Sequence, residues 1–313
     1  MVGGSGSRVL IPLVDFENLS GDFLMLLSSI ITLRASQPAA LPADLGRAAH
    51  AWFLALVQRA DPALAAQLHE PNALRPFTVS NLRGVERSRD GQITLQAGQA
   101  AWLRVTSFAP QLSRLLLEQI IPALGGAITL GEAEFAIQGA TCDPQQHPWA
   151  GQATFEALAQ EHLLGSRQPP RKLTLHFATP TSLRGTGGET TLADGQGRAY
   201  RVAGYTVLLP LPGLVFDSYL QRWNAFAPLS LHPDLKRYAE ECVTISRYEL
   251  RTVLVEYGAQ QQAGFIGHCQ FIALVHDPYW LRLLNLLAAF AFYCGTGQHT
   301  SMGMGQTRRI NLK

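Results

Sequence analysis

The stretch Gly295-Thr-Gly297-Gln-His299-Thr-Ser-Met-Gly303-Met-Gly305 decides how this chain is read. Two Gly-x-Gly units flank five residues. An apolar helix is expected before them, over Asp277–Tyr293, and Gln306–Leu312 after them reads as a short terminal edge strand. Glycines permit positive φ and let a backbone approach a phosphate or a close-packed helix. The spacing lacks the Gly-Lys-Ser/Thr ending of a Walker loop. A loop that follows a helix and precedes a strand is not a dinucleotide-binding turn either. A tight structural turn is the plain alternative. Arg308 and Arg309 come next, as phosphate contacts or as ordinary solvated charges.

Upstream of this loop, Val243–Tyr257 and Phe265–Val275 read as strands, Gly213–Phe226 and His232–Cys242 as helices, and Lys172–Thr179 alternates as a strand. Residues 184–200 are glycine-rich and polar, suggesting a hairpin or mobile loop. In the other half, Leu24–Arg34 is a continuous apolar strand. Leu45, Ala48, Ala49, Trp52, Phe53, Leu56 and Val57 share one helical face, and Asp61-Pro62 stops that helix. Pro62–Leu68 forms a further short turn. Phe77–Val85 and Ala101–Ser107 are strand candidates, Pro110–Leu124 is a helix ended by Gly125-Gly126, and Ala127–Ala140 is one or two strands. Each half therefore follows strand, helix, two strands, helix, strand, the split βαβ order. The expected fold is α+β, with two tandem ferredoxin-like (RRM-like) βαββαβ domains and a C-terminal glycine-rich loop. Its divisions are a flexible leader over 1–23, an N-terminal domain over 24–143, a proline-bearing linker over 144–171 and a C-terminal domain over 172–313.

Composition agrees with two ordered domains. The chain has 313 residues, 47% hydrophobic and 15% charged, enough to bury a core. Its formal net charge is only +2, so any polyanion surface must be a local patch. Cys142, Cys242, Cys269 and Cys294 form no CxxC pair, which argues against a zinc site and for reduced thiols in a cytoplasmic protein. The longest apolar runs, 24–31 and 283–294, fall short of the roughly 20 residues a membrane span requires, so no membrane partner is expected. No small-residue cleavage site follows Val9–Val14, so no signal peptide is expected.

The helix, the doubled Gly-x-Gly loop and the short terminal strand resemble the C-terminal signature of the CRISPR repeat-RNA-processing endoribonucleases, the Cas six family of the repeat-associated RNA-binding superfamily. Family loops usually carry Lys or Arg between the glycine pairs, where this chain has His299. A second stretch, Pro62-Ala-Leu-Ala-Ala-Gln-Leu68-His69-Glu70 followed by Arg75-Pro-Phe77-Thr-Val-Ser80, resembles the family's N-terminal motif. His69 matches the family's catalytic histidine, and Arg75 stands where some members have lysine. The tyrosine of those members falls near Phe53 or Leu54, neither of which has a hydroxyl.

The resemblance implies an endoribonuclease that cuts CRISPR repeat RNA, the precursor of guide RNAs, with no metal and no cofactor. RNA carries its own nucleophile, the 2′-hydroxyl beside the scissile phosphate. A histidine of ordinary pKa about 6.5 can take that proton near neutral pH, and an arginine can stabilise charge on the pentacoordinate phosphorus. The products are a 2′,3′-cyclic phosphate and a 5′-hydroxyl. His69 and Arg75 are thus the candidate catalytic residues, with His50, on the preceding helix, as a substitute for the missing tyrosine. Candidate RNA-binding residues are Gly295, Gly297, His299, Gly303, Gly305 and Arg308, joined by Arg247 and Arg251, which period-two spacing puts on one strand face. Arg167, Arg171, Lys172 and Arg184 bracket the linker and are candidates to track an RNA backbone. Two other readings stand beside this one. The first is a non-catalytic repeat-RNA-binding subunit acting with other CRISPR effector-complex proteins; it predicts binding without cleavage. The second is a small-molecule-binding ferredoxin-like protein, which predicts no RNA binding at low salt.

Overall fold

A computed structural model describes residues 25–311, apart from 71–73, 87, 89–90, 186–189, 203–204 and 258–259. The expected leader lies outside the described residues. In chain order the elements are β1 (Met25–Ala35), β2 (Ala39–Pro42), α1 (Gly46–Ala60), α2 (Pro62–Leu68), β3 (Phe77–Val79), β4 (Gln92–Leu95), β5 (Ala100–Ser107), α3 (Pro110–Leu115), β6 (Ala127–Leu130), β7 (Ala133–Thr141), β8 (Gly151–Thr154) and α4 (Phe155–Ala159). The second half continues with β9 (Lys172–Thr181), β10 (Leu183–Arg184), β11 (Thr190–Ala193), β12 (Ala199–Val202), β13 (Thr206–Val207), α5 (Pro212–Phe226), α6 (Leu235–Cys242), β14 (Val243–Tyr257), β15 (Gln260–Ala273), α7 (Pro278–Cys294) and β16 (Thr307–Ile310).

Both halves build the same sheet. The first runs β3-β5-β1-β7-β6 and the second β14-β15-β9-β16, antiparallel throughout. Counting only the four strands of each βαββαβ unit, the spatial order is second, third, first, fourth in both cases. This is the ferredoxin-like arrangement, present twice.

β1 lacks polar alternation because it is covered on both faces. Leu27, Ile31, Leu33 and Ala35 pack under α1, α2 and α3, whereas Leu26 joins the core of the second domain. α7 is apolar all round for the same reason. It lies between the second sheet and the open face of the first, with Leu283 to Ala288, Phe290 and Ala291 buried. Its C-terminal carbonyls would be orphaned inside the protein. Strand β5 supplies the donors: Arg104 Nη2 donates to Phe292 O at 2.5 Å and Thr106 Oγ1 to Tyr293 O at 2.6 Å. A cation at a helix C-terminus also suits the helix dipole.

Several elements differ from the sequence expectation. The strand expected over Phe77–Val85 ends at Val79, followed by isolated bridges at Ser80 and Arg83. The helix expected to Leu124 turns into a π-helical segment at Leu116–Ile120. A small β2–β4 pair was not anticipated; its alternation covers only four residues, with Leu41, Ile93 and Leu95 turned inward. The expected linker is largely ordered structure: β8 pairs with the start of β1, and α4 and a π-helical turn over Gln160–Leu164 follow it. The prolines there mark turns between these short elements. Among the described residues no helix is long and apolar enough to cross a membrane. The four cysteines are free thiols.

Candidate active site

The N-terminal motif folds into a tight corner. Asp61 caps α2, accepting from Leu64 N at 2.9 Å, and Pro62 occupies the first turn, where its missing N–H is harmless. His69 is the residue that ends this helix, and it is exposed. Its Nδ1 lies 2.7 Å from the carbonyl of Ala65. A carbonyl only accepts, so Nδ1 carries a proton, and in the neutral form of the ring the lone pair is on Nε2. The helix end therefore holds the ring in the tautomer a general base requires. Arg75 Nη1 donates to the carbonyl of Leu68, one residue before His69, which ties the guanidinium to the same corner.

His50 belongs to this corner as well. It is half-buried on α1, stacked on Phe77 at 5.9 Å between ring centroids, with Nδ1 3.0 Å from the carbonyl of Ser301. Burial holds its pKa below the ordinary value. The Ser301 carbonyl opposes that, while the nearby charges of Arg75 and His69 add to it. His50 is thus a neutral imidazole with an available Nε2 near neutral pH.

Ser301 lies in the glycine-rich loop, so the two sequence motifs, more than 200 residues apart, meet in space. The loop folds as a short 3-10 turn, Thr300–Met302, flanked by glycines of positive φ: Gly295 at 66°, Gly297 at 74°, Gly303 at 95° and Gly305 at 70°. The need for glycine is steric at Gly305, where a Cβ would lie 2.2 Å from Thr296 O. The loop amides meet protein carbonyls: Gly295 N donates to Ala291 O, Gly303 N to Val79 O and Gly305 N to Pro180 O. These three amides are therefore engaged with the protein itself, and the loop offers side chains at its tip. His299, exposed and left-handed at φ 54°, lines a cleft of about 580 Å³ with Arg47, Gln261, Gln262, Gln298 and Met302. Buried polar groups anchor the loop from below. Arg222 Nη2 donates to Gly297 O at 2.6 Å, and the hydroxyls of Tyr219, Thr296 and Thr307 form a chain at 2.6 and 2.7 Å.

Arg308 does not join this corner. It projects from β16 onto the open face of the second sheet, its guanidinium 4.7 Å from the Trp149 ring centre. Arg247 and Arg251 share that face, as expected, opposite Gln270 and Ile266. Between this face and the first domain runs a cleft of about 1090 Å³, lined by Arg83, Arg251, Asp44 and Glu256 among others. Outside the lining of that cleft, cations and rings concentrate around Trp149. Arg104, 1% exposed, lies between Trp149 and Phe292 at 4.9 and 4.4 Å, and burial pushes its pKa down to about 9. His176 stacks on His268 at 4.5 Å, and burial, then His268, Arg308 and Arg83, push it down to about 4.

This last shift has a stability consequence. The folded chain binds the His176 proton less readily than the unfolded chain, so stability falls as pH drops from about 6.5 towards about 4 and is flat above that window. A shift of that size corresponds to about 3.5 kcal/mol at roughly 1.4 kcal/mol per pKa unit, and solvent screening of this half-exposed ring makes the loss smaller. Thermal melts of wild type and His176→Gln across pH 4–7 check it: the wild-type curve should be steeper, and parallel curves would refute it.

Sequence reasoning missed Gly46, Asn81 and the Arg104–Trp149 stack. Gly46 opens α1, where the loop backbone lies against it: a Cβ there would stand 2.1 Å from Met302 O. A glycine beginning an otherwise strong helix was the available signal. Asn81, 4% exposed, accepts from Leu45 N and Leu82 N and donates to Ala43 O and Asp44 Oδ1, which fixes the entry of α1. Among the described residues no group of three His, Cys, Asp or Glu side chains could hold a metal ion.

Comparison with known proteins follows the same division into halves. Residues 175–307 match the family described as CRISPR-associated endoribonuclease Cas6, and residues 25–160 match the CRISPR Cas6 N-terminal domain. The structure resembles Cas6 (TTHA0078), solved as a product complex, with a TM-score of 0.69 and 26% identity over 92% of this chain and 100% of that one. Thermus thermophilus Cas6 (TTHB231) aligns with a TM-score of 0.65 and 25% identity over 91% and 98% of the two chains. A Cas6-related protein from Pyrococcus furiosus, at 12% identity and a TM-score of 0.59 over 92% and 100%, shares the fold. No curated protein sequence matches.

Proposed function

The chain belongs to the Cas6 family of CRISPR-associated endoribonucleases, and from that premise we propose that it cuts CRISPR repeat RNA without a metal ion, by attack of a 2′-hydroxyl on the adjacent phosphate. The observation that carries this reading is the corner where His69, Arg75 and His50 meet the glycine-rich loop. His69 Nε2 takes the proton of the attacking 2′-hydroxyl. Arg75 stabilises the charge that builds on the phosphoryl oxygens. The bond from phosphorus to the 5′-oxygen breaks, and that oxygen takes a proton from water and leaves as a 5′-hydroxyl; His50, whose pKa burial lowers, stays neutral beside the site. The 2′,3′-cyclic phosphate stays on the upstream fragment. Arg47 and His299 hold the strand at the loop tip, while Arg308, Arg247 and Arg251 offer cations along the open face of the second sheet, Arg251 within the interdomain cleft. Phosphate contacts of this kind give affinity that falls steeply with salt.

The test is incubation of repeat RNA with the protein in excess EDTA, followed by analysis of the product ends. Cleavage leaving a cyclic phosphate is expected. Cleavage only after magnesium is restored would refute the metal-free mechanism, and tight binding with no cleavage under either condition would make the chain a repeat-RNA-holding subunit.

A further inference from the structure

A third cavity of about 380 Å³ lies on the opposite side of edge strand β16 from the interdomain cleft. Its walls are the turn after α4, the segment 165–170, the outer face of α7 and β16 itself. The charges lining it are Arg167, Arg282 and Arg309 against a single carboxylate, Glu161, and burial lowers the pKa of His162 beside them. Arg282 makes one bond, to the carbonyl of His162 at 3.3 Å. Arg309 is half-buried, and among the described residues its guanidinium has no hydrogen bond and no close ion pair. Burial lowers the Arg309 pKa more than the nearby Glu161 carboxylate restores it, so the charge is only partly answered, and the planar fork of a guanidinium suits phosphate oxygens. The strand geometry ties this cavity to the cleft. Successive side chains of a strand face opposite sides. Arg308, paired with His176, faces the open side of the sheet, and Arg309, paired with Leu175, faces the cavity. The two arginines thus straddle the free edge of the second sheet.

We propose that this cavity binds a phosphate of the RNA strand that leaves the interdomain cleft over the β16 edge, through Arg309, Arg282 and Arg167. This extends the functional reading above and depends on it. RNA is favoured over a free phosphate because Arg308, the preceding residue of β16, places a second cation across the same sheet edge, as a continuous strand would need.

The test uses full-length protein and repeat RNA, with affinity measured over a salt series and cleavage measured at saturating RNA. Arg309→Gln should weaken binding several-fold and make the salt slope shallower by about 0.7, the value of one single-strand phosphate contact, with the saturated cleavage rate unchanged. Arg167→Gln, on an exposed segment whose loss does not threaten folding, should act in the same direction. If wild type binds no repeat RNA, the functional reading itself fails. If wild type binds and cleaves but both variants keep its affinity and salt slope, the cavity proposal fails alone. Inorganic phosphate and adenosine monophosphate form the other arm: saturable binding of either that Arg309→Gln removes, with RNA affinity unchanged, would make this a free-phosphate site and overturn the proposal.

Discussion

Replacing His69 by alanine is expected to lower the single-turnover cleavage rate by about 10²–10⁴-fold, the ordinary contribution of a positioned general base, and to leave RNA affinity unchanged. The fold should survive, because His69 is exposed and contributes one side-chain bond, to Ala65 O, worth about 0.5–1.5 kcal/mol net. Rapid-quench kinetics with a parallel binding titration and thermal melt separate these effects. A variant that cleaves at the wild-type rate would move the proton transfer to another group, with His50 the next to substitute. Loss of binding together with cleavage would instead make His69 a phosphate contact.

Gly46→Ala is expected to damage cleavage nearly as much, without touching a reacting group. In an isolated helix this change is favourable by about 1 kcal/mol. Here the new Cβ would lie 2.1 Å from Met302 O and 3.1 Å from Gly303 N, both backbone atoms that cannot swing aside. The loop must move away from α1, carrying Ser301 O from His50 and His299 from the cleft. A displacement of about 1 Å at such a site can cost about 10²-fold in rate, and overpacking typically destabilises by about 1–3 kcal/mol. Gly125→Ala is the matched control, since nothing lies within 4 Å of a Cβ there. Kinetics and thermal melts of the two variants decide the matter; wild-type cleavage by Gly46→Ala would mean that the loop does not shape the site.

Much of this arrangement was legible from local pattern. The helical spacing over Leu45–Val57 and the alternation of Lys172–Thr179 depend on neighbours within a few residues. Arg247 and Arg251 stay on one face because the bulge in β14 lies between Ile245 and Arg247, ahead of both. His69 and Arg75 were readable because six residues fix their relation. Long-range partners were not. Nothing near Gly46 announces that Met302 will lie on it, and nothing near Arg104 announces Trp149 and Phe292 on either side. The glycine amides offer the same lesson: positive φ was readable, but the Val79 and Pro180 carbonyls that engage Gly303 and Gly305 come from distant strands. The segment 144–171 read as a linker because β8 and α4 are too short to show a period. Pairing with β1 and packing against α7 stabilise them instead.

The most direct test of the account is cleavage of a repeat RNA carrying a single 2′-deoxy substitution on the nucleotide just upstream of the mapped cut. Because the nucleophile belongs to the RNA, wild-type protein should bind this substrate as tightly as the all-ribose strand and leave it uncut at that bond. Cleavage there at an undiminished rate would contradict the account, since water or a protein group would then have to be the nucleophile.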